Sequence, residues 1–284
     1  MRTSLLVAGV FAAATSWMCG QGIAGSAATT GQDARQFVGK AVQTELSRDA
    51  NDHSHWLYFE VDQKPEHPVK QWVADTSDGS LKRVVQLDGR NLSPQEQQQR
   101  MDAFIHDTGA RAKQRKSGAH DDDEAANMLR TLPKAFLWSY QGEQGENTLL
   151  HFKPDPSFIP PNMETKVFAA MEGDMAVNTK QMRIATLKGR LTHDVTFLGG
   201  LLGRMNEGGT FDVERRETGH DGVWQITESH IHVNGHVLLF KTISEQEDDV
   251  KTEFRQLPAQ ISLEQAKQDL LQAQPANQAT QARK

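Results

Sequence analysis

Thr165 to Asn178 reads Thr-Lys-Val-Phe-Ala-Ala-Met-Glu-Gly-Asp-Met-Ala-Val-Asn, and Lys180 to Gly200 continues Lys-Gln-Met-Arg-Ile-Ala-Thr-Leu-Lys-Gly-Arg-Leu-Thr-His-Asp-Val-Thr-Phe-Leu-Gly-Gly. Each run of alternating apolar and polar residues is short and stops at Asn, Gly or Asp. That is the pattern of strands joined by turns, because side chains of a strand alternate between two faces. In the third run Leu191, His193, Val195 and Phe197 share one face and Thr192, Asp194 and Thr196 the other. A sheet that is apolar on one side needs a cover, and the sequence offers helical segments near 93–116 and 121–132 for it.

Working outward, further strand-like runs occupy 56–61, 69–76, 81–87, 136–140 and 148–152, then 166–171, 174–178, 181–188, 190–198, 210–217, 223–233, 236–244 and 249–256. The turn Ser77-Asp78-Gly79-Ser80 marks a hairpin, since Asp-Gly accommodates positive φ. Ser93-Pro94-Gln95-Glu96 is a capping box with proline at the first helical position. Residues 109–123 carry much charge and few apolar side chains, which predicts a loop or frayed helix end. Pro133 is expected to close the helix begun by the acidic run Asp121 to Glu124. Short helices are also predicted over 34–46 and 261–273. The expected fold is mainly β (α+β): a strongly curved antiparallel sheet, or incomplete β-barrel, of about ten strands with helices covering one face.

The chain has 284 residues, 37% of them hydrophobic, and a formal charge of −6 with both signs interspersed. Nothing in this resembles the basic footprint of a nucleic-acid binder. Arg2 followed by an apolar run from Leu5 to Ala14 and small residues at 24–28 reads as a secretory signal, too short to span a bilayer. The division expected is a signal peptide over 1–28, a β-rich domain over 29–258 with a helical insert near 93–132, and a short amphipathic helix with a tail over 259–284. Localisation would then be periplasmic or secreted. Cys19 is the only cysteine. Ser16-Trp17-Met18 before it lacks the small residues of a lipoprotein acylation site, so an outer-membrane anchor through Cys19 is the lesser alternative.

No catalytic motif stands out: there is no Gly-x-Ser-x-Gly elbow, and the glycines at 199–203 and 208–209 are followed by a strand instead of the helix a phosphate cradle needs. The chain is therefore not expected to be an enzyme, and no cofactor is implied. His230, His232 and His236 lie close in sequence, two on one strand face and one across an Asn234-Gly235 turn, and are the candidate metal ligands. Phe168, Met171, Met175, Met182, Leu198, Leu201, Leu202 and Met205 gather around the meander, and methionine-rich surfaces adapt to variable apolar ligands.

Leu149-Leu150-His151-Phe152-Lys153-Pro154-Asp155-Pro156, the Met171-Glu172-Gly173-Asp174 hairpin and Leu187-Lys188-Gly189-Arg190-Leu191 follow a signal peptide, an early hairpin at 69–87 and intervening helices. This order resembles the periplasmic lipoprotein carriers and outer-membrane lipoprotein receptors (the LolA/LolB-like family). The resemblance implies an incomplete barrel whose concave apolar face takes lipid or lipoprotein acyl chains. The function expected is thus a non-catalytic exported binder or carrier, with Phe168, Met182, Ile184, Val195, Phe197 and Leu201 contacting the ligand. Its expected partners are lipid or an acylated protein and other envelope proteins, with transient membrane contact and no nucleic acid. The alternatives are an envelope scaffold with a filled core and a metal-binding protein using the three histidines.

Overall fold

The computed structural model describes residues 24–197, 203–219, 222–236 and 245–274. The described residues begin with a long helix, α1 (Ala24–Asn51), and then run through a meander of β1 (His55–Asp62), β2 (Val69–Ala74), β3 (Leu81–Leu87) and β4 (Arg90–Asn91). Two helices follow end to end, α2 (Pro94–His106) and α3 (Thr108–Ala135), and α3 passes straight into β5 (Phe136–Gln144). Strands β6 (Asn147–Pro154), β7 (Met171–Asn178) and β8 (Arg183–Leu191) continue the sheet. Beyond them lie β9 (Val195–Phe197), β10 (Gly203–Met205), β11 (Thr210–Thr218), β12 (Val223–Val233), β13 (Gly235–His236), β14 (Glu245–Leu257) and a last helix, α4 (Leu263–Gln272).

Eleven strands make one antiparallel sheet in the order β4-β3-β2-β1-β14-β12-β11-β8-β7-β6-β5, while β13, β10 and β9 form a separate three-stranded sheet. Strands β4 and β5 are the two edges and do not pair with each other, and the large sheet lies flat, without curling or closing. The expectation of a strongly curved sheet or incomplete barrel is therefore corrected to a mixed α and β fold built on an open sheet. The placement of the helices shows why closure is not required. A barrel hides its apolar side by wrapping around it. Here the two larger apolar regions are covered from outside: α1 and α3 pack on one face over β5 to β8, and α2 and α4 pack on the other face over β1 to β3.

The first core is aromatic. Phe136, Phe152 and Phe168 lie with ring centroids 4.6 and 5.2 Å from Phe136, and Trp138 sits 5.3 Å from Phe152. The second core joins Leu57, Trp72 and Leu81 to Met101 of α2 and Leu263 and Leu270 of α4. The uncovered face over β6 to β14 carries ion pairs instead, among them His151–Asp174, Lys188–Asp212 and Arg216–Glu228. This alternation of covered apolar and open charged sides is what period-2 patterning produces in a sheet wet on one face.

Several local expectations meet a stronger competing interaction. The run at 166–171 is a 3-10 helix over Glu164–Ala170, because the Asn162 side chain accepts from the backbone N–H of Thr165 at 3.1 Å and from its hydroxyl at 2.6 Å. The run at 190–198 breaks after Leu191. Thr192 turns back to Ala170 through its N–H and hydroxyl, Asp194 accepts from the N–H of Glu207, and β9 enters the small sheet. Residues 109–123 are helical and belong to α3, capped by Asp107, whose carboxylate accepts from Ala110 N–H at 2.8 Å. Pro133 sits inside its last turn, three residues before the strand begins at Phe136.

Helix α1 is tied down by charge. Glu45 is fully buried; its carboxylate accepts from Arg183 Nε at 3.0 Å and from Ile184 N–H at 2.6 Å, and it also pairs with Arg215. One side chain thus joins the helix to β8 and β11. Breaking a buried pair leaves the partner charges without solvent, at a cost of about 3–5 kcal/mol. Glu45→Gln is expected to lower the unfolding free energy by about 3 kcal/mol in urea titration; a loss below about 1 kcal/mol would show that α1 is held by its apolar face alone.

Candidate ligand cavity

Between α3 and the sheet lies a cavity of about 640 Å³. The reason is visible in the sequence of α3. Gln114, Gly118, Asp122, Ala125, Leu129 and Leu132 recur at spacings of three and four and so form one stripe facing the sheet. The first half of that stripe has small or polar side chains and cannot fill the space below it; the second half can. The helix is held at both ends instead. Gln114 accepts from Ser80 N–H at 2.8 Å and donates to Ser80 O at 3.1 Å, Arg115 donates to Asp78 O at 2.9 Å, and Leu132 and Ala135 are buried in the first core.

The walls repeat the gradient of the roof. Toward α3's C-terminal half the cavity is lined by Phe152, Phe168, Ile184, Leu187 and Leu191; toward its N-terminal half by Asp52, Ser54, Asp75, Thr76, Ser80 and Lys251. Trp56, Tyr58 and Phe254 stand beside that polar end. Tyr58 and Phe254 stack at 5.4 Å, and Trp56 meets Phe254 edge-on at 6.3 Å. A hydrogen-bonded chain fixes the indole: Trp56 Nε1 donates to Ser54 Oγ at 2.7 Å, and Ser54 Oγ donates to Asp52 Oδ1 at 2.5 Å.

Behind Lys251 is a buried charge cluster. Its ammonium lies 2.7 Å from Asp249 Oδ2 and 3.7 Å from Glu60 Oε1, and Gln71 donates to Glu60. Burial would push Lys251 down, but Asp249 and Glu60 outweigh it and hold its pKa above the ordinary value. Burial raises the Asp249 carboxyl to about 6, and Glu60 and Asp62 add to the rise while Lys251 opposes it. Burial, then Asp75, Glu60 and Asp249, push the Tyr58 hydroxyl well up, so the phenol stays protonated.

Of the residues expected to contact a ligand, Phe168 and Ile184 line this cavity. Val195 is buried in the core beside it but does not reach the lining. Met182 has φ +53 and lies in a shallow surface depression with Lys40, Thr44 and Arg48 of α1. Leu201 and the side chain of Phe197 lie outside the described residues. The residues missed are those at the polar end. Trp56 and Tyr58 had a signal, since Trp56, Tyr58 and Glu60 alternate on one strand face; the helical stripe of α3 had one too, concealed by its polarity.

The histidine reading is corrected. His230 and His232 both contact Asp248 Oδ1, at 2.6 and 3.0 Å, on the open charged face. His236 belongs to the three-stranded sheet, opposite Arg204, and its side chain lies outside the described residues. Among the described residues no group of three or more His, Cys, Asp or Glu could hold a metal. His230's pKa is raised by its contact with Asp248, which is ion pairing and not ligation.

No protein-family model matches the chain, no curated protein does, and no solved structure does. The resemblance to the lipoprotein carriers and receptors is thus without support from relatives, and the flat open sheet lacks the concave bed that family's acyl-chain binding requires. Both the family reading and the acyl-carrier function fall with it.

The Asp249 carboxyl gives a signed expectation. A folded-state pKa of about 6 lies above the unfolded value near 3.9. The folded state then binds more protons between those values, so this group's contribution to stability falls as pH rises from about 4 to about 6 and is level above that. Urea unfolding across that range should show a slope worth about 2 kcal/mol in the native protein that Asp249→Asn lacks; parallel profiles would mean the carboxyl titrates normally.

Proposed function

We propose that the protein is a non-catalytic receptor for a compact organic molecule with one apolar and one polar end, held between α3 and the sheet. The observation that carries this is the matched gradient: roof and walls pass from Leu129, Leu132, Phe152 and Phe168 to Gln114, Asp52, Asp75 and Lys251 along the same direction. About 640 Å³ falls within the range of small-molecule sites, which combine apolar walls with a few convergent polar groups. The flat sheet acts only as a floor, and enclosure comes from the helix propped above it, so the occupant is a small molecule lying under one helix. Export by the leader read at residues 1–28 is part of the proposal. Among the residues whose side chains are described, the apolar ones that α1 packs into the core begin at Ala34, beyond the cleavage positions suggested at 24–28. Among the described residues no helix is long and apolar enough to cross a membrane.

Gly118 provides a clean test. It faces the cavity from α3, and a Cβ built there meets nothing within 4 Å. Glycine in a helix interior is unfavourable by about 0.5–1 kcal/mol, so Gly118→Phe is expected to fold at least as stably as the native chain while filling the space. Native protein should bind the neutral dye Nile red with one saturable site, and Gly118→Phe should abolish that binding with no loss of thermal stability. Undiminished dye binding by a folded Gly118→Phe would place the dye elsewhere and overturn the proposal.

A further inference from the structure

One polar group of the cavity is left unsatisfied by the fold. Six buried side chains with a polar atom line the space: Trp56, Tyr58, Thr76, Ser80, Trp224 and Lys251. Trp56 Nε1 donates to Ser54 Oγ at 2.7 Å and Trp224 Nε1 to Gln181 Oε1 at 2.8 Å. Thr76 Oγ1 donates to Gly79 O, and Ser80 Oγ to Asp75 Oδ1, both at 2.7 Å. Lys251 Nζ lies 2.7 Å from Asp249 Oδ2. Only the hydroxyl of Tyr58 has no hydrogen-bond partner among the described residues.

A buried polar group is normally paired, because leaving it unpaired forfeits the bonds it made to water. Sealed orphan atoms do occur here, Trp72 Nε1 and Asp249 Oδ1 among them, but none belongs to a residue of the lining. Tyr58 Oη is not sealed in this way; it opens on the cavity that its side chain lines. Burial, with Asp75, Glu60 and Asp249 nearby, keeps the phenol protonated. A phenol donates far better than it accepts, since its lone pair is shared with the ring, so the missing partner is an acceptor. The other polar groups say that this acceptor is neutral. Arg215 pairs with Glu45 and Lys251 with Asp249, while Asp49 is bridged to Arg183 and Arg215. Asp52 and Asp75 accept from Ser54 and Ser80, Arg115 faces Asp78, and Asp122 has a partner of its own. The ions of the lining are thus engaged within the protein, and the open group is an uncharged donor.

We infer that the ligand is a neutral carbonyl compound, a ketone or lactone, whose oxygen accepts from the Tyr58 hydroxyl while its apolar body lies beneath Leu129 and Leu132. This rests on the receptor reading above and adds the identity of the ligand's polar group to it. The Trp56, Tyr58 and Phe254 rings present flat apolar faces beside the hydroxyl, which suits a carbonyl carried on a ring. No bond is made or broken.

The test uses three naphthalenes substituted at the same carbon: the ketone acetylnaphthalene, its hydrocarbon isostere isopropenylnaphthalene, and naphthoate. Each is titrated into the full-length native protein and into Tyr58→Phe at neutral pH, with displacement of Nile red as the readout and the dye's own affinity measured first for each protein. Tyr58→Phe is expected to weaken the ketone roughly three- to tenfold and to leave the hydrocarbon unchanged. It should unfold at no lower temperature than the native chain, because the hydroxyl it loses has no partner in the fold. Naphthoate should bind the native protein more weakly than the ketone. If Tyr58→Phe holds the ketone as tightly as the native protein does, or weakens ketone and hydrocarbon alike, the carbonyl assignment is overturned while the cavity stands. The same holds if naphthoate matches the ketone, or if none of the three displaces bound dye. A clear drop in the thermal stability of Tyr58→Phe would reveal a structural partner for the hydroxyl and overturn the assignment too. If Nile red itself does not bind the native protein, the receptor reading fails as well.

Discussion

A helix fixed at both ends and unfilled beneath its middle is the constraint from which the shape of this molecule follows. At its start α3 is bonded to the turn between β2 and β3 through Gln114 and Arg115, and at its end it becomes β5 without a connecting loop. Only the second anchor uses the apolar packing that normally seats a helix on a sheet, through Leu132 and Ala135; the first is made by hydrogen bonds. Gly118, Asp122 and Ala125 can therefore stand over open space, and the cavity is what remains when a helix spans a sheet faster than its side chains can reach it. A chain with leucines at those three positions would close the space and gain core; this one retains the gap.

The sheet below is stabilised by two unlike means on its two faces. Apolar regions are covered where helices are available, over β5 to β8 by α1 and α3 and over β1 to β3 by α2 and α4. Elsewhere the face is left open and laced with exposed ion pairs, each of which contributes little alone. The buried charges behave differently. Glu45 with Arg183 and Arg215 is closely matched in geometry, which is the condition under which ions taken out of water are tolerated. Around Asp249 the match is poorer: its Oδ1 oxygen is buried with no hydrogen-bond donor. A group so placed has its proton affinity raised, and functional sites are where such perturbations gather.

Strand positions were largely legible in the sequence, because alternation is a local signal. The hairpin at Asp78-Gly79 and the capping box at Ser93 to Glu96 are equally local and are realised at those residues. What alternation does not carry is the disposition of covers. Nothing in the pattern of residues 165–209 says that helices sit on both faces, and a one-sided cover was what made a curled sheet the natural expectation. The site was legible at its apolar end, where Phe168 and Ile184 could be picked out, and obscure at the polar end. Hydrophobic periodicity detects a helix by what it buries. The first half of α3 buries almost nothing, so its helical character rests on the propensity of Ala, Lys, Arg and Gln and on the Asp107 cap. His230 and His232 misled for a related reason: two histidines on one strand face are equally well served by a single carboxylate on the neighbouring strand.

The two edges of the large sheet are unequal. Strand β5 runs nine residues, from Phe136 to Gln144, whereas β4 is two residues long and both are exposed. Open-ended stacking of copies by strand addition needs a long free edge on each side of every copy. Among the described residues β4 pairs only with Gln86 and Leu87, so the far side of the sheet is a stepped edge in which a two-residue strand interrupts the outer side of β3, whereas β5 offers nine residues in one unbroken run; strand addition between copies is favoured at β5.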